Sequence, residues 1–256
     1  MDLSLVIPCY KEESHLEANI DRVLSTLRLL NVRSELIFVD DCSPDQTKLI
    51  IRKIISKFPE HSIKAIYHAS NQGRGGAFIS GVKQSSGKFV GFFDIDLEVS
   101  CAYLIEFVRI LQLQNADMVI GNRSYELHFG LMYRHILSVC YGFLAKTLLR
   151  IPRNIDSESG YKFFKRETLV QYVEEFLYQG WFWDTEVVSK FIKDKRKVVS
   201  VPCLFIRNEK KVSTVKPVRD TIDYFIQLLR YRFSTNGFTK KTNTSKLEET
   251  SNKKAA

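Results

Sequence analysis

The sequence predicts an α/β protein with a mostly parallel central sheet and helices on both faces. Short apolar runs, typical of fully buried strands, alternate with segments of helical periodicity through the first half of the chain. Acidic residues follow several of these runs, at the strand ends where open α/β sheets bind ligands. With 256 residues and 45% hydrophobic content, the chain is long enough to bury a substantial core.

The elements can be predicted in order. Strands are expected at 3–7, 36–39, 63–67, 89–93 and 118–120, with less regular strands at 161–164 and 198–205. The helices between the first strands are expected to begin at Ser14 with Glu17 as a capping box, at Asp45 and Thr47, in the glycine-rich loop 72–76, and at Ser100. Further helices are expected at 131–149, 167–178, 185–192 and 218–233.

These elements suggest one domain over residues 1–233, because no clear linker interrupts them. The first half of this domain, to about residue 125, is regular, and the second half is less regular. The tail 234–256, rich in Lys, Thr, Ser and Asn, is expected to be disordered.

The net charge of +9 favours phosphate-bearing partners or an anionic membrane surface. Nucleic acid is not expected, since the chain has no basic stripe interleaved with aromatics and no helix-turn-helix or zinc-finger spacing. Five scattered cysteines without a CxxC pair indicate neither a disulfide framework nor a zinc site.

Localisation is expected to be cytoplasmic. The chain shows no secretory signal and no run of 18 apolar residues. Two amphipathic helices, 131–149 and 220–233, leave open a peripheral position on the cytoplasmic face of a membrane. The alternative is that both helices pack on the sheet.

The most informative motif is the acid triplet Asp94, Asp96 and Glu98, which follows the strand 89–93. In an extended chain the i, i+2 spacing would put these carboxylates on one side, where they repel each other unless a cation lies among them. Oxygen ligands suit Mg²⁺ or Mn²⁺ better than zinc. The alternative is an acidic, solvated loop end.

Other polar residues follow the first two strands. Tyr10 can stack on a base and Glu12 can accept a hydrogen bond from it, while Asp41 can accept from a ribose or a base N–H. Alone, the segment after the first strand is typical of a simple turn, and the adjacent aspartates after the second strand are typical of helix capping. No GxGxxG follows the first strand, which argues against a nicotinamide enzyme. The loop 71–76 lacks the Lys-Ser/Thr of a P-loop, and Arg74 within it is expected near the nucleotide.

Four segments taken together resemble a known family: V-I-P-C-Y-K-E-E (6–13), V-D-D-C-S-P-D (39–45), N-Q-G-R-G-G-A (71–77) and F-D-I-D-L-E (93–98). In this order and spacing they are similar to the family 2 glycosyltransferases of GT-A fold. Within that family they look most like the dolichol-phosphate mannose and glucose synthase-like branch. The resemblance covers about residues 3–230 and is strongest over the first 125.

The resemblance implies that residues 1–125 are the nucleotide-binding half of the domain and that residues 126–233 are an acceptor-binding elaboration. It also implies a role for each matching residue. It places the divalent metal, Mg²⁺ or Mn²⁺, at Asp94, Asp96 and Glu98, and the nucleotide at Pro8, Tyr10, Glu12, Asp41, Arg74 and Asp94. Asp96, Arg123 and Asp184 become the catalytic candidates, and Arg134, Arg207, Lys211 and Ser213 the acceptor-phosphate contacts. Asp156 and Glu158 are expected to be structural rather than catalytic, and a contact of Asp156 with the sugar is left open.

The implied reaction is metal-dependent, inverting transfer of a hexose from a nucleotide-diphosphate sugar of the GDP-mannose or UDP-glucose type to a polyprenyl phosphate. An anionic phosphate acceptor needs cations rather than a base. A hydroxyl acceptor, such as a glycan, would need a carboxylate base, for which Asp184 or Glu186 is the candidate. A hydroxyl-directed transferase and a non-catalytic nucleotide-sugar-binding protein therefore remain as alternatives. As ordinary structural residues, Arg123 would form a surface ion pair and Asp184 would cap a helix.

Overall fold

A computed structural model describes residues 1–125, 142–206 and 217–234 of the chain. Residues 131–141 of the helix predicted over 131–149, and residues 235–256 of the tail predicted over 234–256, lie outside the described residues. So do four of the site candidates, namely Arg134, Arg207, Lys211 and Ser213.

The described residues form a sheet of seven strands in the order β3-β2-β1-β4-β6-β5-β7. The strands are β1 (Leu3–Cys9), β2 (Ser34–Asp40), β3 (Ser62–Tyr67), β4 (Phe89–Phe92), β5 (Met118–Tyr125), β6 (Lys162–Lys165) and β7 (Val198–Phe205). All pairings are parallel except those of β6 with β4 and β5. The predicted mostly parallel sheet is confirmed.

Helices cover both faces of this sheet. They are α1 (Glu13–Leu30), α2 (Thr47–Lys57), α3 (Gly73–Gln84), α4 (Tyr103–Leu113), α5 (helical over 142–149), α6 (Arg166–Leu169), α7 (Trp183–Lys193) and α8 (Pro217–Ser234). Leu16 of α1, Ile51 of α2 and Phe107 of α4 pack in a core on one face. Phe78 of α3 and Trp183 of α7 pack in a second core on the other. The predicted α/β fold class is confirmed, because buried strands lie between two helical layers.

Two local predictions were wrong. Helix α1 begins at Glu13 without a side-chain cap, so Ser14 lies inside the helix instead of opening it. The helix expected over 167–178 ends at Leu169 and continues as turns. Strand β5 is longer than predicted and includes Arg123.

The reversed direction of β6 shapes the ligand-binding edge. Lys162, the first residue of β6, pairs with Phe92 at the end of β4 and with Ile120 on β5. Because β6 runs antiparallel to its neighbours, the loop that enters it lies at the edge where the parallel strands end. Residues 156–161 therefore join the strand-end residues at one site.

Helix α8 has a buried side and an exposed apolar side. Leu228 and Tyr231 pack against Phe182, together with Ala145 of α5. Its exposed large apolar residues are Ile222, Phe225, Ile226 and Phe233. Within the described ranges, no helix combines the length and apolar character needed to cross a membrane.

Candidate active site

The acid triplet lies in a turn rather than in an extended strand. Strand β4 ends at Phe92, and the turn that follows contains buried Ile95 and places Leu97 at φ 55°. The expected extended geometry is therefore wrong. Asp94 and Asp96 are half-buried at the sheet edge, and the Glu98 N–H donates to Asp96 Oδ1 at 3.1 Å.

Strained backbone marks the same edge. Lys11, Cys42 and Leu97 follow β1, β2 and β4, and each has positive φ (60°, 60° and 55°). A left-handed conformation at a non-glycine residue costs about 1 kcal/mol or more, and such residues cluster at ligand-binding sites. The three strand ends are thus held in unusual conformations at a single edge.

Arg74 joins two of the candidate acids. Its Nη1 and Nη2 donate to the two oxygens of Asp94 at 2.9 and 2.8 Å, and its Nε donates to Asp184 Oδ2 at 3.2 Å. Burial lowers the pKa of the Arg74 guanidinium, but the Asp94 and Asp184 carboxylates outweigh burial and raise the pKa above its ordinary value. Arg74 is therefore a permanent cation between them.

Lys162 completes this charge network. Its side chain is fully buried, and its Nζ donates to Asp184 Oδ1 at 2.6 Å and to the Ser159 carbonyl. Burial lowers the pKa of Lys162, while the charge of Asp184 opposes that shift. Both oxygens of Asp184 are thus held by cations, and the residue is only 2% exposed.

Lys162 was not among the sequence candidates. The available signal was a lysine inside the apolar run 161–164, because lysine is almost never fully buried unless it is paired.

Arg123, on β5, forms a further ion pair at this edge. Its Nε and Nη2 donate to the Asp156 carboxylate at 2.6 and 3.2 Å. Burial raises the pKa of Asp156, but the charge and hydrogen bonds of Arg123 outweigh burial and lower the pKa below its usual value. Asp156 thus fixes Arg123 at the end of the sheet.

Glu158, two residues further on, differs from the other acids of the site. Its Oε1 is buried and has no hydrogen-bond partner in the part of the chain that the structure describes. Burial raises the pKa of Glu158 to about 7; Arg123 and Lys162 lower it, and Asp156 and Asp184 raise it.

Asp41 is buried directly after the end of β2. The backbone N–H groups of Gln72 and Gly73 donate to its two oxygens at 2.8 Å each, and His68 Nδ1 lies 2.7 Å from Oδ1. These contacts occupy the carboxylate and hold the start of α3 against the end of β2.

The remaining nucleotide candidates lie at or just beyond the carboxyl end of β1. Tyr10 is exposed, with Lys11 Nζ 5.5 Å from its ring centroid. Glu12 Oε2 lies 2.9 Å from His15 Nδ1, and Pro8 is half-buried within β1. The exposed ring of Tyr10 offers a flat surface at the end of the strand.

Glu186 does not face this edge. Its carboxylate accepts the N–H groups of Leu177 and Tyr178 at 3.0 and 3.1 Å. Burial raises its pKa to about 7. Glu186 therefore holds the segment before α7 in place.

The chemistry of Asp94 and Asp96 fits a divalent ion that arrives with a diphosphate. No three acidic, histidine or cysteine side chains among the described residues form a ready-made metal site. Mg²⁺ is commonly held by only one or two carboxylates, with substrate phosphates completing the shell. Two half-buried carboxylates at an open edge meet that requirement.

The fold and this acid-rich edge define a GT-A type glycosyltransferase. The family model for glycosyl transferase family 2 matches residues 4–172. The chain belongs to that family.

Among its relatives, a dolichyl-phosphate beta-glucosyltransferase of Dictyostelium discoideum is 25% identical over 250 residues, which cover 90% of this chain and 74% of the relative. A human protein with the same description is 28% identical over 206 residues, covering 75% of this chain and 64% of the relative. This chain therefore spans about two-thirds to three-quarters of their lengths.

A solved structure supports the fold assignment. Glucosyl-3-phosphoglycerate synthase of Mycobacterium tuberculosis, in complex with Mn²⁺, uridine diphosphate and phosphoglyceric acid, aligns with a TM-score of 0.67. Sequence identity is 16%, and the alignment covers 91% of this chain and 78% of that one.

Proposed function

We propose that the protein transfers a hexose from a nucleotide-diphosphate sugar to the phosphate oxygen of a polyprenyl phosphate, with inversion at the anomeric carbon. The names of the relatives, dolichyl-phosphate beta-glucosyltransferases, support this acceptor class. Direct attack by the acceptor oxygen on the anomeric carbon accounts for the inversion.

The observation that carries the proposal is that cations hold both carboxylate oxygens of Asp184. A hydroxyl acceptor needs a carboxylate within hydrogen-bond reach to take its proton. Asp184 is buried, with Lys162 on one oxygen and Arg74 on the other. Glu186, the second sequence candidate, is occupied by backbone N–H groups. A polyprenyl phosphate is already an anion and requires neither base.

The acids after β4 are proposed to hold a Mg²⁺ or Mn²⁺ ion through Asp94 and Asp96, with Glu98 beside them. When bound, the ion supplies Lewis-acid stabilisation of the departing diphosphate. Arg74 orients Asp94 through its two parallel hydrogen bonds. In this proposal Asp184 is a positioning residue that acts through Arg74.

The nucleotide is proposed to lie over the ends of β1 and β2. Tyr10 stacks on the base, while Pro8 and Glu12 line the same strand end. Asp41 acts through the backbone, because its carboxylate already holds the start of α3.

The acceptor phosphate needs cations, since it must approach an acidic site. Arg123 is proposed as one of them, fixed by Asp156 at the sheet edge. Arg134, Arg207, Lys211 and Ser213 are proposed as further phosphate contacts. The lipid is proposed to be reached from the cytoplasmic face of a membrane, with the exposed apolar residues of α8 resting on the surface.

A transfer assay tests the proposal. The protein is incubated with radiolabelled UDP-glucose or GDP-mannose and a polyprenyl phosphate in detergent, with Mn²⁺ or with EDTA. We expect a labelled lipid product only with metal, and its loss in the Asp94→Asn/Asp96→Asn double variant. Glu167→Gln, an exposed change on α6, is the matched control. Label recovered in lipid with EDTA present would refute the metal assignment, and no lipid product from either donor would refute the acceptor class.

A further inference from the structure

Glu158 is an acid at the site that the proposed reaction leaves without a role. Its Oε1 is buried and lacks a hydrogen-bond partner among the described residues. A buried polar atom without a partner costs folding free energy, and a ligand that supplies the missing donor recovers it. Such an oxygen at the edge of a binding site therefore points to a ligand group with an O–H or N–H.

The position of Glu158 is fixed from both ends of its loop. On one side, Asp156 is held by Arg123 and accepts the backbone N–H of Glu158 at 3.1 Å. On the other side, Gly160 lies against the Asp94 carboxylate so closely that a Cβ there would overlap Asp94 Oδ2. The unpartnered oxygen thus belongs to an anchored segment, and its setting is defined by two ion pairs.

The order of the strands places Glu158 on the sugar side of the donor. The nucleoside candidates follow β2 and β1, and the diphosphate candidates follow β4, the next strand in the sheet. Glu158 precedes β6, the strand beyond β4. A donor that lies along this edge would reach Glu158 with the part that follows its diphosphate, which is the hexose.

The chemistry of the group favours the same part of the donor. A carboxyl oxygen repels the anionic oxygens of a diphosphate or a lipid phosphate but accepts a hydrogen bond from a hydroxyl. Arg123, Asp156, Lys162 and Asp184 are the charged groups that act on it. Arg123 pairs with Asp156, and Asp184 pairs with Lys162 and Arg74.

We propose that Glu158 hydrogen-bonds one hydroxyl of the transferred hexose and so selects the hexose that the enzyme uses. This inference rests on the proposed function, because it requires a nucleotide-sugar donor. It changes the expectation for Glu158 from a structural residue to a specificity-determining one.

The test combines changes in the enzyme with deoxy donors, in the manner of a double-mutant cycle. Wild type, Glu158→Ala and Glu158→Gln are assayed with the preferred donor and with its 2-, 3-, 4- and 6-deoxy hexose analogues where the parent carries that hydroxyl. For wild type, kcat/KM should fall about 10-fold or more with one of these analogues, since a hydrogen bond to a charged or buried group is lost. Glu158→Ala should show that loss with the parent donor and no further loss with the same analogue. Glu158→Gln, whose amide keeps an acceptor oxygen, should stay within about 5-fold of wild type.

Two further measurements separate this role from a structural one. The melting temperature of the ligand-free Glu158→Ala protein should equal or exceed that of wild type, because the change removes an unpartnered buried oxygen. The affinity for UDP or GDP alone should be unchanged, since neither contains the hexose. Glu167→Ala, an exposed change at the opposite end of β6, serves as the control in every assay.

Each contrary result has a distinct meaning. A lower melting temperature with equal losses for every donor would make Glu158 structural and overturn the inference. If Glu158→Gln were as inactive as Glu158→Ala with every donor, a hydrogen-bond acceptor at this position would not be sufficient, and the inference would fail. If wild type transferred sugar, but no deoxy donor changed the effect of Glu158→Ala on kcat/KM, this inference alone would fail. If wild type used no nucleotide sugar, the proposed function would fail first.

Discussion

Gly160→Ala should reduce the activity strongly and change the stability little. A Cβ at Gly160 would overlap Arg74 Nη2 and Asp94 Oδ2, which are the ends of two flexible side chains. The φ of Gly160 is not positive, so alanine fits the backbone. The added methyl group must push the Asp94 carboxylate away by about 1 Å to restore van der Waals contact.

The cost in stability should be small. The Arg74 and Asp94 side chains are 19% and 34% exposed, and a partly exposed ion pair contributes about 1 kcal/mol or less. For a domain of this size that corresponds to a melting-temperature decrease of less than about 4 °C. The cost in activity should be large, because a misplacement of about 1 Å at a reacting centre reduces the rate about 100-fold.

The assay measures kcat/KM for sugar transfer and the melting temperature on the same preparations, with Gly142→Ala as the control. Gly142 has open space around its Cβ position, so its variant should keep both values. A Gly160→Ala protein with unchanged kcat/KM would refute the role of the Arg74–Asp94 pair. A melting temperature lowered by more than about 10 °C would refute the reasoning that separates the two effects.

Three further changes test the fold beneath the site. Burial raises the pKa of Glu35, but its hydrogen bonds outweigh burial and hold the pKa at about 2, below the ordinary 4.5. The stability that this group contributes is therefore present above pH 4.5 and lost as the pH falls towards 2. Denaturant titrations should show a smaller acid-induced loss of stability in Glu35→Gln than in wild type. Lys162→Met should cost about 3 kcal/mol in the same titrations, because buried Asp184 loses a cation, and an unchanged midpoint would contradict that pairing. Gly91→Ala should lower soluble expression, since a Cβ there would overlap the buried ring of Phe163, and a fully stable variant would contradict that packing.

Local periodicity was enough to predict most of the sheet and several helices. Strand β7 was predicted with its observed ends, since its apolar residues and flanks are local signals. The helix over 167–178 failed for a physical reason. Tyr172 is buried in the core on the α3–α7 face and Phe176 packs against that core, so the apolar spacing resembles a helix. The backbone instead turns, and the carboxylate of Glu186, in a later helix, accepts the N–H groups of the turned segment. That partner is invisible to a local pattern.

The sequence could predict that several candidate residues lie at one edge of the sheet, but it could not predict how their side chains pair. Order and spacing nominated Asp94, Arg123 and Asp184, and the structure places them at one edge of the sheet. The pairing of Asp184 with Lys162 and Arg74 joins residues 22 and 110 positions apart, which only the folded topology brings together. The reversed strand β6 produces that pairing and also delivers Glu158 to the edge.

The most direct test of the account compares two acceptors that differ only in the phosphate. The protein is given one labelled nucleotide sugar with Mn²⁺ and either a polyprenyl phosphate or the polyprenol of the same length. Because Asp184 is held by two cations and Glu186 by backbone N–H groups, we expect label in lipid with the phosphate and none with the alcohol. Equal or faster transfer to the alcohol would contradict the central claim that the acceptor is an anion which needs no base.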